Sequence, residues 1–108
     1  MTKPFDNDTM AYLAERLEEG RHLIPAHMWD AVTNYYLHGY APGSFLTAVL
    51  CNDLMGAFSR ADDENAAAMQ GWVRFLYNYA PSGTFGSPDR FHAWLAKFAE
   101  PAMSELSA

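Results

Sequence analysis

The stretch SFLTAVLCNDLMGAF, residues 44–58, constrains the fold more than any other part of the chain. Leu46, Val49, Leu50, Leu54, Ala57 and Phe58 recur at helical spacing, and Phe45, Ala48, Cys51 and Met55 widen the stripe until little polar surface remains. An element apolar on most of its circumference has to be surrounded, so the spacing predicts a central third helix over residues 44–59. No segment shows the sustained period-2 alternation of half-buried strands. The expected class is all-α, a single compact domain of about five helices around that hydrophobic third helix.

Caps and periodicity define the other four. The first covers residues 8–19, with Asp8 as N-cap, Met10, Leu13, Ala14 and Leu17 on one face, and Gly20 as its stop. Its outer face carries Glu15, Arg16, Glu18 and Glu19, and acids in the last turn oppose the helix dipole, which marks it as a marginal helix. The second takes Pro25 as its first helical residue, turns Met28, Val32, Tyr35 and Tyr36 inward, and ends at Gly39. GYAPGS then reads as a turn. Asp62 caps the fourth, with Asp63 and Glu64 favourably placed in its first turn. That helix presents Met69, Trp72, Val73, Leu76 and Ala80 to the core and stops at Pro81. Ser87 and Pro88 open the last, whose inward residues are Phe91, Trp94, Leu95 and Phe98. Residues 100–108 have too few anchors to stay ordered.

Composition bears on function mainly by exclusion. Thirteen acids against seven bases give a net charge of −6, the reverse of what phosphate binding requires, so no direct nucleic-acid binding is expected. One cysteine, Cys51, forbids an internal disulfide or a multi-cysteine metal centre. No apolar run approaches the roughly 18 residues of a membrane span, and MTKPFDNDTM lacks the apolar stretch of a signal peptide, so a cytoplasmic protein is expected.

Reactive groups fall short of any catalytic pattern. His22 and His27 are five apart and straddle Pro25, where a helical zinc pair needs i, i+4 spacing. His38 sits near a helix C-terminus, and with His92 completes a set that predicts no metal. Cys51 lies in the most apolar segment, where a thiol pKa rises and reactivity falls. The glycines of PGSF and PSGTFGS have turn spacing rather than phosphate-cradle spacing. Asp53 falls near the apolar face of the third helix and calls for a partner, Arg60 or Arg74. A helix-turn-helix reader is disfavoured because FLTAVLCNDLMGAF offers a groove almost no polar or basic side chain. No enzyme activity, cofactor or metal is expected.

The positive signal is aromatic. Seven Phe, six Tyr and three Trp are many for one small core, and Tyr35, Tyr36, Tyr40, Tyr77 and Tyr79 include neighbours that cannot all face one direction. Exposed tyrosines beside acids fit a protein-binding face. The candidate partner-binding residues are Glu15, Glu18, Glu19, Tyr35, Tyr36, Asp62, Asp63, Glu64, Tyr77 and Tyr79. The same residues also fit a plainer description, in which the acids cap helices and the tyrosines are scattered amphipathic side chains with wet hydroxyls.

PGSFLTAVLCNDL, ADDEN, VRFLYN and PSGTFGSP together resemble a family of small bacteriophage and prophage proteins, over residues 24–96. The family supplies no activity to carry across. The resemblance implies a phage-encoded chain working in the host bacterial cytoplasm. It divides the sequence into an N-terminal addition carrying an amphipathic helix, residues 1–22, a helical core, residues 23–99, and the tail. By analogy, small acidic phage proteins include inhibitors of host defence such as anti-CRISPR proteins. The implied partner is a host or defence protein, including a basic nucleic-acid-binding one. The alternatives are a self-assembling structural or DNA-metabolism accessory protein, for which a homodimer is the simplest form, and, last, a small enzyme.

Overall fold

A computed structural model describes residues 4–107, with side chains through Ala99. Seven α-helices and no strand occur among them: α1 (Asn7–Gly20), α2 (Trp29–His38), α3 (Ser44–Leu50), α4 (Leu54–Arg60), α5 (Asp63–Ala67), α6 (Met69–Tyr79) and α7 (Pro88–Ser107). Two 3₁₀ turns, Arg21–Leu23 and Ala26–Met28, link α1 to α2. The all-α class holds, while the count rises from five because two expected helices are each broken in two. The expected tail, residues 100–108, lies beyond the last described side chain, and α7 carries the helical backbone through Ser107.

The decisive break is in the apolar run. Asn52 adopts a left-handed backbone, φ 62°, which ends α3, and the Asp53 carboxylate accepts the Gly56 N–H at 2.9 Å to start α4. Asn tolerates this conformation better than most side chains, and Asp offers the backbone a local alternative to helix continuation. The central helix is therefore replaced by two seven-residue helices packed against each other. α3 buries Phe45, Leu46, Ala48 and Leu50, whereas α4 buries Ala57 alone. Leu54 and Met55 are 62% and 81% exposed, and Phe58 is also exposed. Asp53 acts as this cap, and no ion pair to Arg60 or Arg74 forms among the described residues.

Smaller shifts follow the same local chemistry. Asp6, not Asp8, caps α1 by accepting the Thr9 N–H at 2.7 Å, and Asp8 becomes a first-turn acid. Pro25 is extended (ψ 139°) and precedes a 3₁₀ turn instead of opening α2. Gly39 closes α2 at φ 71°, where a Cβ would also strike the Phe98 ring. Ala68 separates α5 from α6, and Val73 faces solvent, because the buried stripe of α6 centres on Trp72, Phe75 and Leu76.

One hydrophobic cluster draws on every helix except α5. Buried Met10, Leu13 and Leu17 put α1 into it against α6, and Gly71 lets the Leu23 carbonyl approach α6 where a Cβ would collide. The loop before α7 is stitched in by Thr84. Its hydroxyl donates to the Pro81 carbonyl at 2.7 Å, so the Tyr36 hydroxyl, 2.9 Å away, is the donor in that pair. The Tyr35 hydroxyl donates to the Thr84 carbonyl at 2.7 Å, and Trp94 Nε1 to the Tyr35 carbonyl at 2.9 Å. Trp72 Nε1 donates to the buried Asn65 amide oxygen at 3.1 Å. Among the described residues every fully buried side-chain polar atom has a partner.

Candidate functional site

Nine of the ten candidate residues divide into three groups in space, and Tyr77 stands apart. Tyr35 and Tyr36 are core residues, fully enclosed between α7 and the Thr84 loop. They cannot form a partner surface, because reaching one would expose two buried rings and break both hydroxyl bonds. Burial pushes both phenols far above the usual tyrosine range. Adjacent helical residues can share a core when the helix is covered on two sides, as α2 is here.

Asp62, Asp63 and Glu64 form the second group, at the N-terminus of α5. The Asp62 carboxylate accepts the Asn65 N–H at 2.7 Å and pairs with His27 Nε2 at 2.8 Å, while Glu64 stands 3.5 Å from His27 Nδ1. The Asn65 N–H holds the Asp62 carboxyl below its ordinary range, with His27 adding in the same direction. Asp62 and Glu64 tie α5 to the Ala26–Met28 turn through His27, Asp63 makes no such contact among the described residues, and all three acids remain exposed.

Glu15, Glu18, Glu19 and Tyr79 belong to the third group. Glu19 pairs with Arg16 at 2.7 Å and Glu18 with Arg21 at 3.3 Å; Glu15 has no such partner among the described residues. Arg16 also donates to the Asn78 carbonyl and stacks over the Tyr79 ring, 5.0 Å from its centroid. These contacts anchor α1 to the C-terminal end of α6. Beside them opens a cleft of about 270 Å³, walled by Phe5, Tyr12, Leu13, Tyr79 and Pro81, with Arg16 at its edge. Tyr12 is 63% exposed, and its hydroxyl has no bond among the described residues. On the helical surface Glu15 and Glu19 fall on the same side as Tyr12, next to the cleft's Tyr12 wall, while the charged residue lining the cleft itself is Arg16.

The two acidic groups do not merge. Arg16 meets Asn78 and Tyr79, Gly20 meets Phe75, and Leu23 meets Gly71, so the chain from α1 onward runs antiparallel to α6. The cleft sits at the C-terminal end of α6, whereas the acids open α5, which precedes α6 in the chain, and α6 itself is about 16 Å long. Tyr77, 75% exposed, packs its ring edge-on to Phe85 at 5.5 Å and belongs to neither group.

Sequence reasoning missed Phe5 and Tyr12. Tyr12 lies off the Met10, Leu13 and Leu17 stripe, and a large aromatic on the polar face of an amphipathic helix is the signal that could have found it. The exposure of Leu54, Met55 and Phe58 was hidden by reading α3 and α4 as one buried helix.

The remaining reactive groups are placed quietly. Desolvation pushes the half-buried Cys51 thiol up, and Asp53 adds to the effect, the wrong direction for a nucleophile. His38 is exposed and stacks on Tyr40 at 5.9 Å. Among the described residues no three His, Cys, Asp or Glu side chains gather as a metal site, and no helix is long and apolar enough to cross a membrane. No protein-family model, curated protein or solved structure matches the chain.

Proposed function

We propose that the chain is a non-enzymatic protein-binding module, phage-encoded as its resemblance implies, which inhibits or redirects a host or defence protein. The cleft between α1 and α6 carries this reading. Phe5 and Tyr12 stand open to solvent there, against Tyr79 and Pro81, with Arg16 in the lining and Glu15 and Glu19 flanking Tyr12 along α1. Aromatic anchors in an apolar hollow with a charged edge are what protein interfaces are built from. The matching partner surface is an apolar side chain flanked by basic ones, such as a nucleic-acid-binding protein presents.

Affinity purification of the tagged full-length chain from bacterial host cells tests this. A retained protein partner should be basic, release as salt rises past about 0.15 M, where the Debye length is about 8 Å, and be retained less by Glu15→Lys. Retention of DNA or RNA in place of protein, or a partner indifferent to Glu15→Lys, would remove the reading.

A second reading, self-assembly, is favoured by α4. Leu54, Met55 and Phe58 form an exposed uncharged surface on a helix with Asp53 at one end and Arg60 at the other. An antiparallel pair of such helices is self-complementary in charge, as a two-fold interface requires. Sedimentation velocity would report a dimer that Met55→Lys dissociates; a monomer at high micromolar concentration would exclude it.

A further inference from the structure

A second cavity, about 220 Å³, opens on a different face of α6. Val49, Leu76 and Phe85 give it an apolar wall, Tyr77 stands edge-on to Phe85, and Asn52 and Arg90 close on it from the α3–α4 break and from the first turn of α7. The rim is fixed, since the Gly86 N–H donates to the Leu50 carbonyl at 2.7 Å.

Two polar groups at this cavity are unspent. Arg90 is one of seven basic residues in the chain, and unlike Arg16 and Arg21 it has no carboxylate partner among the described residues. Its exposed guanidinium lies beside Gly86 at the cavity's edge, with Nη1 3.3 Å from the point a Cβ on Gly86 would occupy. Asn52 is the one described non-glycine residue with positive φ, and its carboxamide makes no hydrogen bond among the described residues. The left-handed turn that ends α3 leaves the exposed Asn52 side chain at the cavity's edge. Guanidinium matches carboxylate as a planar two-pronged donor, and a carboxamide adds a third N–H.

We propose that this cavity binds a small apolar carboxylate, free or as the C-terminal residue of a peptide, with its carboxylate on Arg90 and Asn52 and its apolar group against Val49, Leu76 and Phe85. The volume is below the roughly 300–1,000 Å³ of drug-sized sites, so the apolar part is a single ring or branched side chain. Inorganic phosphate would satisfy Arg90 and leave the apolar wall empty, which makes it the control anion. Nothing in this proposal depends on the α1–α6 cleft.

The test is a titration of the ¹⁵N-labelled full-length chain with 3-phenylpropanoate, its amide, inorganic phosphate, and an acetylated tetrapeptide ending in phenylalanine with a free carboxylate. The acid should give saturable shifts at the amides of Asn52, Tyr77, Gly86 and Arg90, with the amide and phosphate binding at least about tenfold more weakly. Arg90→Gln should weaken the acid by about tenfold or more and leave the response to the amide unchanged. A peptide binding about tenfold more tightly than the free acid identifies a chain terminus as the natural source, and parity identifies a small acid. No saturable shift by about 10 mM, equal responses to acid and amide, or indifference to Arg90→Gln would each overturn the proposal.

Discussion

Tyr36 on α2 and Tyr12 on α1 are the same residue type on helices that both pack into one core, yet their fates are opposite. Tyr36 is enclosed, its hydroxyl donating to Thr84 at 2.9 Å and its ring 5.9 Å from that of Trp94. Tyr12 lies off the buried Met10, Leu13 and Leu17 stripe of its helix, exposed along an apolar cleft with an unmatched hydroxyl. The contrast extends to other aromatics. Trp72 and Trp94 have their ring N–H groups satisfied inside, whereas Tyr77 and Phe5 are exposed, each lying beside one other ring, Phe85 and Trp94. Where the fold needs an aromatic, it supplies a partner for the polar tip; where it supplies none, the ring is available to another molecule.

The contrast breaks most readily in the core. Trp72→Ala removes a fully buried ring packed edge-on against Phe45 and Phe75 and strands the Asn65 oxygen, and should cost about 3–5 kcal/mol in a urea or thermal unfolding measurement. A loss under about 1 kcal/mol would mean that Trp72 is not where the structure places it. High pH attacks the same core without mutation. The folded state holds the Tyr35 and Tyr36 phenols far above their unfolded value of about 10, so the stability from keeping them neutral is complete below about pH 10 and is lost as pH rises above it. Each contributes a loss of up to about 1.4 kcal/mol per pH unit, and two of the six tyrosines should ionise only together with loss of helical circular dichroism.

Thr84→Val keeps the shape and deletes the hydroxyl that serves both Tyr36 and Pro81, and should cost about 1–3 kcal/mol. Thr84→Ser, which keeps that hydroxyl, should recover most of it. The smallest effects belong to the exposed set: Tyr12→Ser and Met55→Ser should each stay within about 0.5 kcal/mol of the unaltered chain. A larger loss at either position would show that it supports the fold and would weaken its claim to a binding role.

Much of the architecture was legible because it is written locally. Asp62 as a cap, Gly39 as a left-handed stop, Ser87 and Pro88 as a helix start, and Phe91, Trp94 and Phe98 as one inward stripe each depend on a few consecutive residues. The break at Asn52 was also local, but the apolar periodicity on either side of Asn52 and Asp53 outweighed it, and the exposure of α4 vanished with it. What no periodicity carries is tertiary cover. Tyr35 and Tyr36 are both buried because the Thr84 loop folds over α2, and that loop lies 48 residues away in sequence. The cleft exists because α1 docks beside the end of α6, so Tyr79 could be singled out in the sequence but not paired with Tyr12.

The α1–α6 cleft and the α4 surface are the two exposed apolar candidates, and one experiment separates them. Tagged full-length chain carrying Tyr12→Ser or Met55→Ser would be recovered from bacterial host cells alongside the unaltered chain, with melting temperatures measured on all three. If the cleft is the binding site, Tyr12→Ser loses the retained partner by about tenfold or more at an unchanged melting temperature, while Met55→Ser keeps it. Loss of the partner on Met55→Ser with full retention on Tyr12→Ser would contradict the account.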